Sequence, residues 1–291
     1  MDLSSSSSES DHQFRTNGNG KENRFRRPFE IVATTLLSLL LPLSFLLLGR
    51  LSTARYLLSA SDTYLLSSSD DSFLRSFFLS HAKNPTILHL LVSVVSVSAL
   101  VHALTDKIGP GSGGGRNAHR RRPLRLWAAW IFLCAAQVCV GMGIEGSIAA
   151  GVDGSGFGRG NGAVCRAVFF VGMHETAVWW WRVAVKPVVD DTVFGRRREE
   201  GWGDRAAVAA GCGWVWWWRV REEVESLVVV AEVRRELMIG TGAADIMGWW
   251  LYYLTVTVGM VRVVRGILCA VVFATRRREG GEAGRTNDDK V

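Results

Sequence analysis

The sequence predicts an all-α fold: a multi-pass transmembrane helix bundle of about six spans behind a disordered N-terminal tail. Three observations predict it. The runs 31–48, 86–104 and 126–144 hold 18 or 19 residues each without one Asp, Glu, Lys or Arg, long enough as helices to cross a hydrocarbon layer about 30 Å thick. Basic residues cluster in alternate gaps between the apolar runs. The composition agrees. The 48% hydrophobic figure leaves out Gly, and counting Gly in place of Tyr gives about 57% of the 291 residues, against about 45–50% in soluble domains. Mean hydropathy is +0.15. Disorder of the whole chain, a collagen-like fibre and a disulfide scaffold are excluded by this composition.

Residues 1–30 form a polar tail with serines at 4–8 and the stretch Asn17, Gly18, Asn19, Gly20. Few aliphatic residues and no periodicity predict disorder there. The tail ends in Arg24, Arg26 and Arg27, directly before the first run. That run, 31–48, is about 27 Å long as a helix. Pro42 interrupts its hydrogen bonding, with Ser38 one turn earlier to help satisfy the freed carbonyl. Its length and its distance from the first residue favour an uncleaved span over a signal peptide, whose apolar core is usually about 7–15 residues.

Residues 49–85 are Ser-rich and carry Asp62, Asp70 and Asp71, which predicts a loop with one short interfacial helix over 73–79. The second span is 86–104, with His89 and His102 read as interfacial side chains near its ends. A Gly-rich linker over 109–115 leads to Arg116, Arg120, Arg121, Arg122 and Arg125. It follows no strand, and no GxxxxGK occurs, so it is not a phosphate-binding loop. Trp127 and Trp130 open the third span, 126–144, as interfacial aromatics do. The fourth span, 163–181, contains Arg166, His174 and Glu175 and closes on Trp179, Trp180 and Trp181.

The positive-inside rule orients the chain. The tail carries five basic residues packed toward the first run, loop 105–125 carries six and loop 182–205 carries six, including Arg196, Arg197 and Arg198. The intervening loops carry four, over 49–85, and one, over 145–162. The N-terminus is therefore expected in the cytosol. The membrane itself is expected to be the plasma membrane or an endomembrane.

The last third is less regular. Residues 206–218 are apolar but only about 20 Å long as a helix, so they either cross a thinned layer or dip and return. Residues 219–237 read as an amphipathic surface helix, with Val220, Val224, Leu227 and Ala231 on one face. Arg219/Glu223 and Arg221/Glu225 stand at i,i+4 ion-pair spacing. The final span is expected near 243–261, and a register nearer 249–270 would bring Trp249, Trp250, Tyr252 and Tyr253 to an interface while burying Arg262 and Arg265. The bundle then ends at 275, and a polar tail, 276–291, opens with Arg276, Arg277 and Arg278. Six spans put the C-terminus in the cytosol with those arginines; five spans are the alternative.

No catalytic constellation emerges. Cys134, Cys139, Cys165, Cys212 and Cys269 form no CxxC pair and read as small buried hydrophobes. His174-Glu175 would begin an HExxH zinc motif, but Val178 occupies the second histidine position. No GxSxG occurs. No metal site, cofactor or catalytic residue is expected, and the chain is read as no enzyme. Charged groups inside spans instead face one another across helix contacts or line ion paths, which singles out Arg166, His174, Glu175 and Asp245. The first alternative is a scaffolding or interaction protein whose charges lock helix register. The second is a small transporter or channel using His174, Glu175 and Asp245.

The arginine runs Arg24, Arg26, Arg27, Arg120, Arg121, Arg122, Arg196, Arg197, Arg198, Arg276, Arg277 and Arg278 are read as contacts to lipid headgroups. The expected partners are membrane lipids and other membrane proteins, with no nucleic acid and no assigned small-molecule substrate. Asn84 is followed by Pro85, so no valid N-glycosylation sequon is present.

Several long strings resemble a family of uncharacterised plant multi-pass transmembrane proteins. They are His174-Glu175-Thr176, Trp181-Arg182, the stretch from Pro187 to Gly195 and the stretch from Gly248 to Arg262. The likeness covers mostly 163–265, with a weaker echo in the first run. It implies a plant source and an integral membrane protein, and carries no activity or site residue with it.

Overall fold

The computed structural model describes residues 26–61, 85–105, 163–194, 199–237 and 240–285, with parts of 131–140. The described residues are helical throughout their ordered elements, without a strand. Helix α1 covers 26–61, α2 Thr86–Thr105, α3 163–194, α4 202–223, α5 Ser226–Glu236 and α6 Ala243–Arg285. Helical turns also occur within 131–140.

Helix α1 already includes Arg26, inside the expected tail, and is interrupted at Leu39. The Leu39 amide there reaches both Thr35 O and Leu36 O, and the Ser38 hydroxyl donates to Thr35 O at 2.7 Å. The cause is Pro42, which has no N–H to offer the Ser38 carbonyl. Beyond it the helix does not end at residue 48. Leu40–Ser61 is one continuous helix, so the first part of the predicted 49–85 loop is helical. No Gly or Pro follows Gly49 until past residue 61, and the helix buries Leu51 and Ala54. The expected interfacial helix over 73–79 and most of the expected third span, 126–144, lie outside the described residues.

Two helices keep a buried stripe whose spacing an ideal α-helix cannot hold. In α4 and its continuation the buried residues Asp204, Val208, Cys212, Val220 and Val224 recur at multiples of four. At 3.6 residues per turn each step of four would swing the stripe by about 40°. A wider π-turn over Trp216–Val220 absorbs the drift. Likewise Ala177, Trp181 and Val185 are buried at successive fours in α3, where a π-turn spans Trp181–Val185. The predicted short helix at 206–218 thus becomes Trp202–Val215 plus the π-turn.

The amphipathic surface helix expected over 219–237 is corrected in two ways. The chain breaks helix at Val224–Glu225, and the segment around the break is buried rather than superficial: Glu223, Val224, Glu225, Ser226, Leu227 and Val228 all lie in the interior. Helix α1 covers it, with the Ser226 hydroxyl donating to Gly49 O at 2.9 Å.

Contacts along the helices give their directions. A Cβ on Gly211 of α4 would lie 3.1 Å from Thr35 and 3.4 Å from Leu39, and one on Gly49 would lie 2.6 Å from the Glu223 carbonyl. Further along, Arg234 of α5 donates to Arg55 O at 2.9 Å. Helices α4 and α5 together therefore run parallel to α1. Phe169 stacks on Tyr252, Gly172 and Gly259 abut, and Glu175 pairs with Arg262, so α3 runs parallel to α6. His89 faces Gly248, and Arg265 donates to Ala103 O, so α2 also runs parallel to α6. Asp245 at the start of α6 meets Arg55 near the end of α1 and Arg234 near the end of α5. The pair α2 and α3 and the helix α6 thus oppose α1 and α4–α5. Helix α2 ends beside residue 265 of α6, and α3 starts before the level of Tyr252. Val140 packs with Leu47, Leu51 and Ala54 of α1.

The core centres on Phe169, which is fully buried. It meets Phe45 edge-on at 5.5 Å and stacks with Trp216 at 5.8 Å and Tyr252 at 5.1 Å. Outward, α2 exposes Ile87, Leu90, Leu91, Val94 and Leu104, and α6 exposes Met260, Val264, Ile267, Val271 and Phe273. Three described helices are long and apolar enough to cross a membrane: Arg26–Ser59, Thr86–Thr105 and Ala243–Thr275. Helix α6 runs on to Arg285, so the beginning of the expected polar tail, with Arg276, Arg277 and Arg278, is helical.

Candidate functional site

The interior charges form interhelical ion pairs along the bundle. Arg50, with no exposed side-chain surface, donates Nε to Glu223 Oε2 at 2.5 Å and Nη2 to Glu223 Oε1 at 2.6 Å. This two-pronged geometry matches a planar guanidinium to a carboxylate and fixes both helices in register. Arg166 grips Glu225 in the same way from α3, through Nε and through Nη2 at 3.0 Å. Glu223 and Glu225 flank the break between α4 and α5, so that break is held from both sides by arginines of other helices. The i,i+4 pairs expected within the segment, Arg219/Glu223 and Arg221/Glu225, are replaced by these longer-range ones. Burial of the carboxylates puts them out of reach of Arg219, which is exposed.

Asp245 has the densest surroundings. It accepts from Arg55 Nη1 at 3.2 Å, from Arg234 Nη1 at 2.9 Å and from the Gly242 amide at 3.0 Å. Arg234 Nη2 also donates to Arg55 O and to Ser59 Oγ. Toward the other end of α6, Glu175 pairs with Arg262 at 3.3 Å, and Arg265 caps the Ala103 carbonyl, one of the last four of α2 that have no partner within their helix.

The sequence-derived candidates therefore do not converge. Arg166, Glu175 and Asp245 each join a different pair. Arg262, the partner of Glu175, lies 17 residues from Asp245 on α6, or about 25 Å along the helix. His174 is half-buried beside the Phe170 ring, with centroids 6.2 Å apart. Among the described residues no three His, Cys, Asp or Glu side chains are grouped to hold a metal ion. Of the five cysteines, Cys212 is buried, Cys134 half-buried and Cys139, Cys165 and Cys269 exposed, against the reading that all are buried. Their exposed positions lie on outward helix faces. Of the arginine runs, Arg26 and Arg27 are exposed at the start of α1. Arg24, Arg120, Arg121, Arg122, Arg196, Arg197 and Arg198 lie outside the described residues.

Sequence reasoning missed Arg50, Arg55, Arg234, Glu223 and Glu225 as members of these ion pairs. The usable signal was a pair of arginines, Arg50 and Arg55, directly after an apolar run, set against five acids and four arginines in 219–237. His89 was misplaced: it is fully buried against Gly248 rather than interfacial, and neither ring nitrogen has a hydrogen-bond partner. Its position on the face of α2 toward α6, with Ser93 and Ser96, explains the burial. No family model, no curated protein and no solved structure matches this chain.

Proposed function

We propose that the protein is an integral membrane protein that crosses the bilayer six times, with both termini in the cytosol and a structural or interaction role without catalysis. The observation that carries this reading is the alternation of helix directions. Helices α1 and α2 run oppositely, and α3, the α4–α5 unit and α6 reverse in turn; six crossings follow with the apolar run 126–144 taken as the crossing between α2 and α3. Two further observations support it. From Asp245 to Arg265, α6 covers about 30 Å, the thickness of a hydrocarbon core. In addition, Arg50 and Arg55, two of the four basic residues in the 49–85 gap, are paired with buried acids in the bundle. Only two basic residues then remain for that gap, and the positive-inside asymmetry sharpens.

The two α6 registers, near 243–261 and near 249–270, put different side chains in the layer. The register near 249–270 places Arg265, which caps the Ala103 carbonyl, and Arg262, paired with Glu175 but with 58% of its side chain exposed, inside the layer. It brings the half-exposed Trp249, Trp250 and Tyr253 to one boundary of the layer. The exposed apolar faces of α2 and α6 then meet lipid, in a plasma membrane or an endomembrane, and a plant source, implied by the resemblance, belongs to the same proposal. The arginine runs at the cytosolic ends meet anionic headgroups. Transport through His174, Glu175 and Asp245 loses ground, because the carboxylates are far apart and each is held by arginine.

Tags at the two termini of the protein in sealed vesicles test the reading. Both should be digested by protease added on the cytosolic side. Protection of the C-terminal tag alone would mean an odd number of crossings and overturn it.

A further inference from the structure

Two guanidinium groups share one carboxylate where α1, α5 and α6 meet. Asp245 has both oxygens engaged by Arg55, Arg234 and the Gly242 amide. Among the described residues neither arginine pairs with another acid. Glu232 and Glu236 are exposed and line a separate surface hollow with Arg235. Among the described residues the cluster therefore carries one positive charge in excess in a largely buried place, where a charge without a counter-charge is costly.

Its donors are also not exhausted. Arg234 is 6% exposed and its Nε has no acceptor. Arg55 has five N–H donors, of which Asp245 takes one, and its side chain keeps 17% of its surface open. The adjoining loop is Gly240-Thr241-Gly242. A Cβ on Gly242 would sit 3.1 Å from Arg55 Nη2, while Gly240 has open space on that side. Any other residue at 242 would crowd the guanidinium that glycine leaves accessible. The first turn of α6 puts the positive end of one helix dipole beside it, and the last turn of α5, which holds Arg234, the negative end of another.

We propose that Arg55 and Arg234, with Asp245 orienting them, bind one phosphate-class oxyanion at this end of the bundle, either a free anion or the headgroup of an anionic phospholipid. The guanidinium fork suits two oxygens of a tetrahedral anion, and one negative charge neutralises the cluster. The site does not depend on the six-span reading, since free phosphate can be tested on detergent-solubilised protein.

The experiment is thermal unfolding of the full chain. One arm titrates inorganic phosphate into detergent-solubilised protein, with chloride at equal ionic strength as reference. The other compares nanodiscs of phosphatidylcholine with discs containing phosphatidylglycerol. The wild-type melting temperature should rise saturably with phosphate, with phosphatidylglycerol, or with both. A rise with phosphatidylglycerol alone identifies the headgroup as the source, and a rise with phosphate identifies a site open to free anions. Arg55→Gln should weaken the response at least tenfold in apparent Kd. Without anion it should be no less stable than wild type, because Asp245 keeps Arg234 and the cluster becomes neutral. Absence of any wild-type response overturns the proposal, as does an unchanged response in Arg55→Gln. An Arg55→Gln protein that fails to fold also overturns it, since Arg55 would then be required by Asp245 itself.

Discussion

Arg50 sits without exposed surface against a carboxylate that is itself nearly buried. The pair therefore matters most when one half is removed. Glu223→Ala should cost about 3–5 kcal/mol, because a guanidinium buried without its carboxylate is strongly penalised, whereas replacing both partners with Met should recover most of that loss. Urea or thermal unfolding of the single and double variants in detergent checks the order. Phe169 makes the apolar counterpart. Its ring touches three other rings, so Phe169→Ala should cost about 3–5 kcal/mol. Trp202, 86% exposed, should tolerate alanine within about 0.5 kcal/mol in the same assay.

The contact between α3 and α6 depends on Gly172 and Gly259. A Cβ on Gly172 would overlap the Thr255 carbonyl, and one on Gly259 would overlap the Val168 carbonyl. Small residues at such crossings let backbones meet closely. Gly172→Ala should destabilise by about 1–3 kcal/mol through overpacking. Gly213→Ala, in a helix with open space around that position, should stabilise by about 0.5–1 kcal/mol. A melting series of the two variants separates a packing glycine from an incidental one. Apolar elements were legible in the sequence because absence of charge is a local property: 86–104 coincides with Thr86–Thr105 to within a residue. The extension of α1 past residue 48 was not legible. Arg50 and Arg55 look like loop residues until their partners, far away in sequence, are known. The same holds for 219–237, where amphipathic spacing describes a helix with two faces but cannot say that every residue from Glu223 to Val228 becomes covered.

At the scale of the molecule, the candidate charges were legible as residues and not as an arrangement. Arg166, Glu175 and Asp245 stand out as charges among apolar neighbours. That they join different pairs depends on which helices lie side by side, a property no single segment encodes. Proteoliposomes provide the corresponding test. Wild type, Glu175→Gln and Asp245→Asn should all show no proton or cation flux above empty liposomes. A wild-type flux abolished by either substitution would restore the transport reading. The pairing of α1 also has a temporal side. Arg50 finds Glu223 173 residues later, and Arg55 finds Asp245 190 residues later. At about 5–20 residues per second of synthesis, the first helix waits some ten to forty seconds with both cations uncompensated. A nascent chain stopped before residue 223 should therefore be held by chaperones or degraded, which makes completion of the last third a checkpoint for retention of the first.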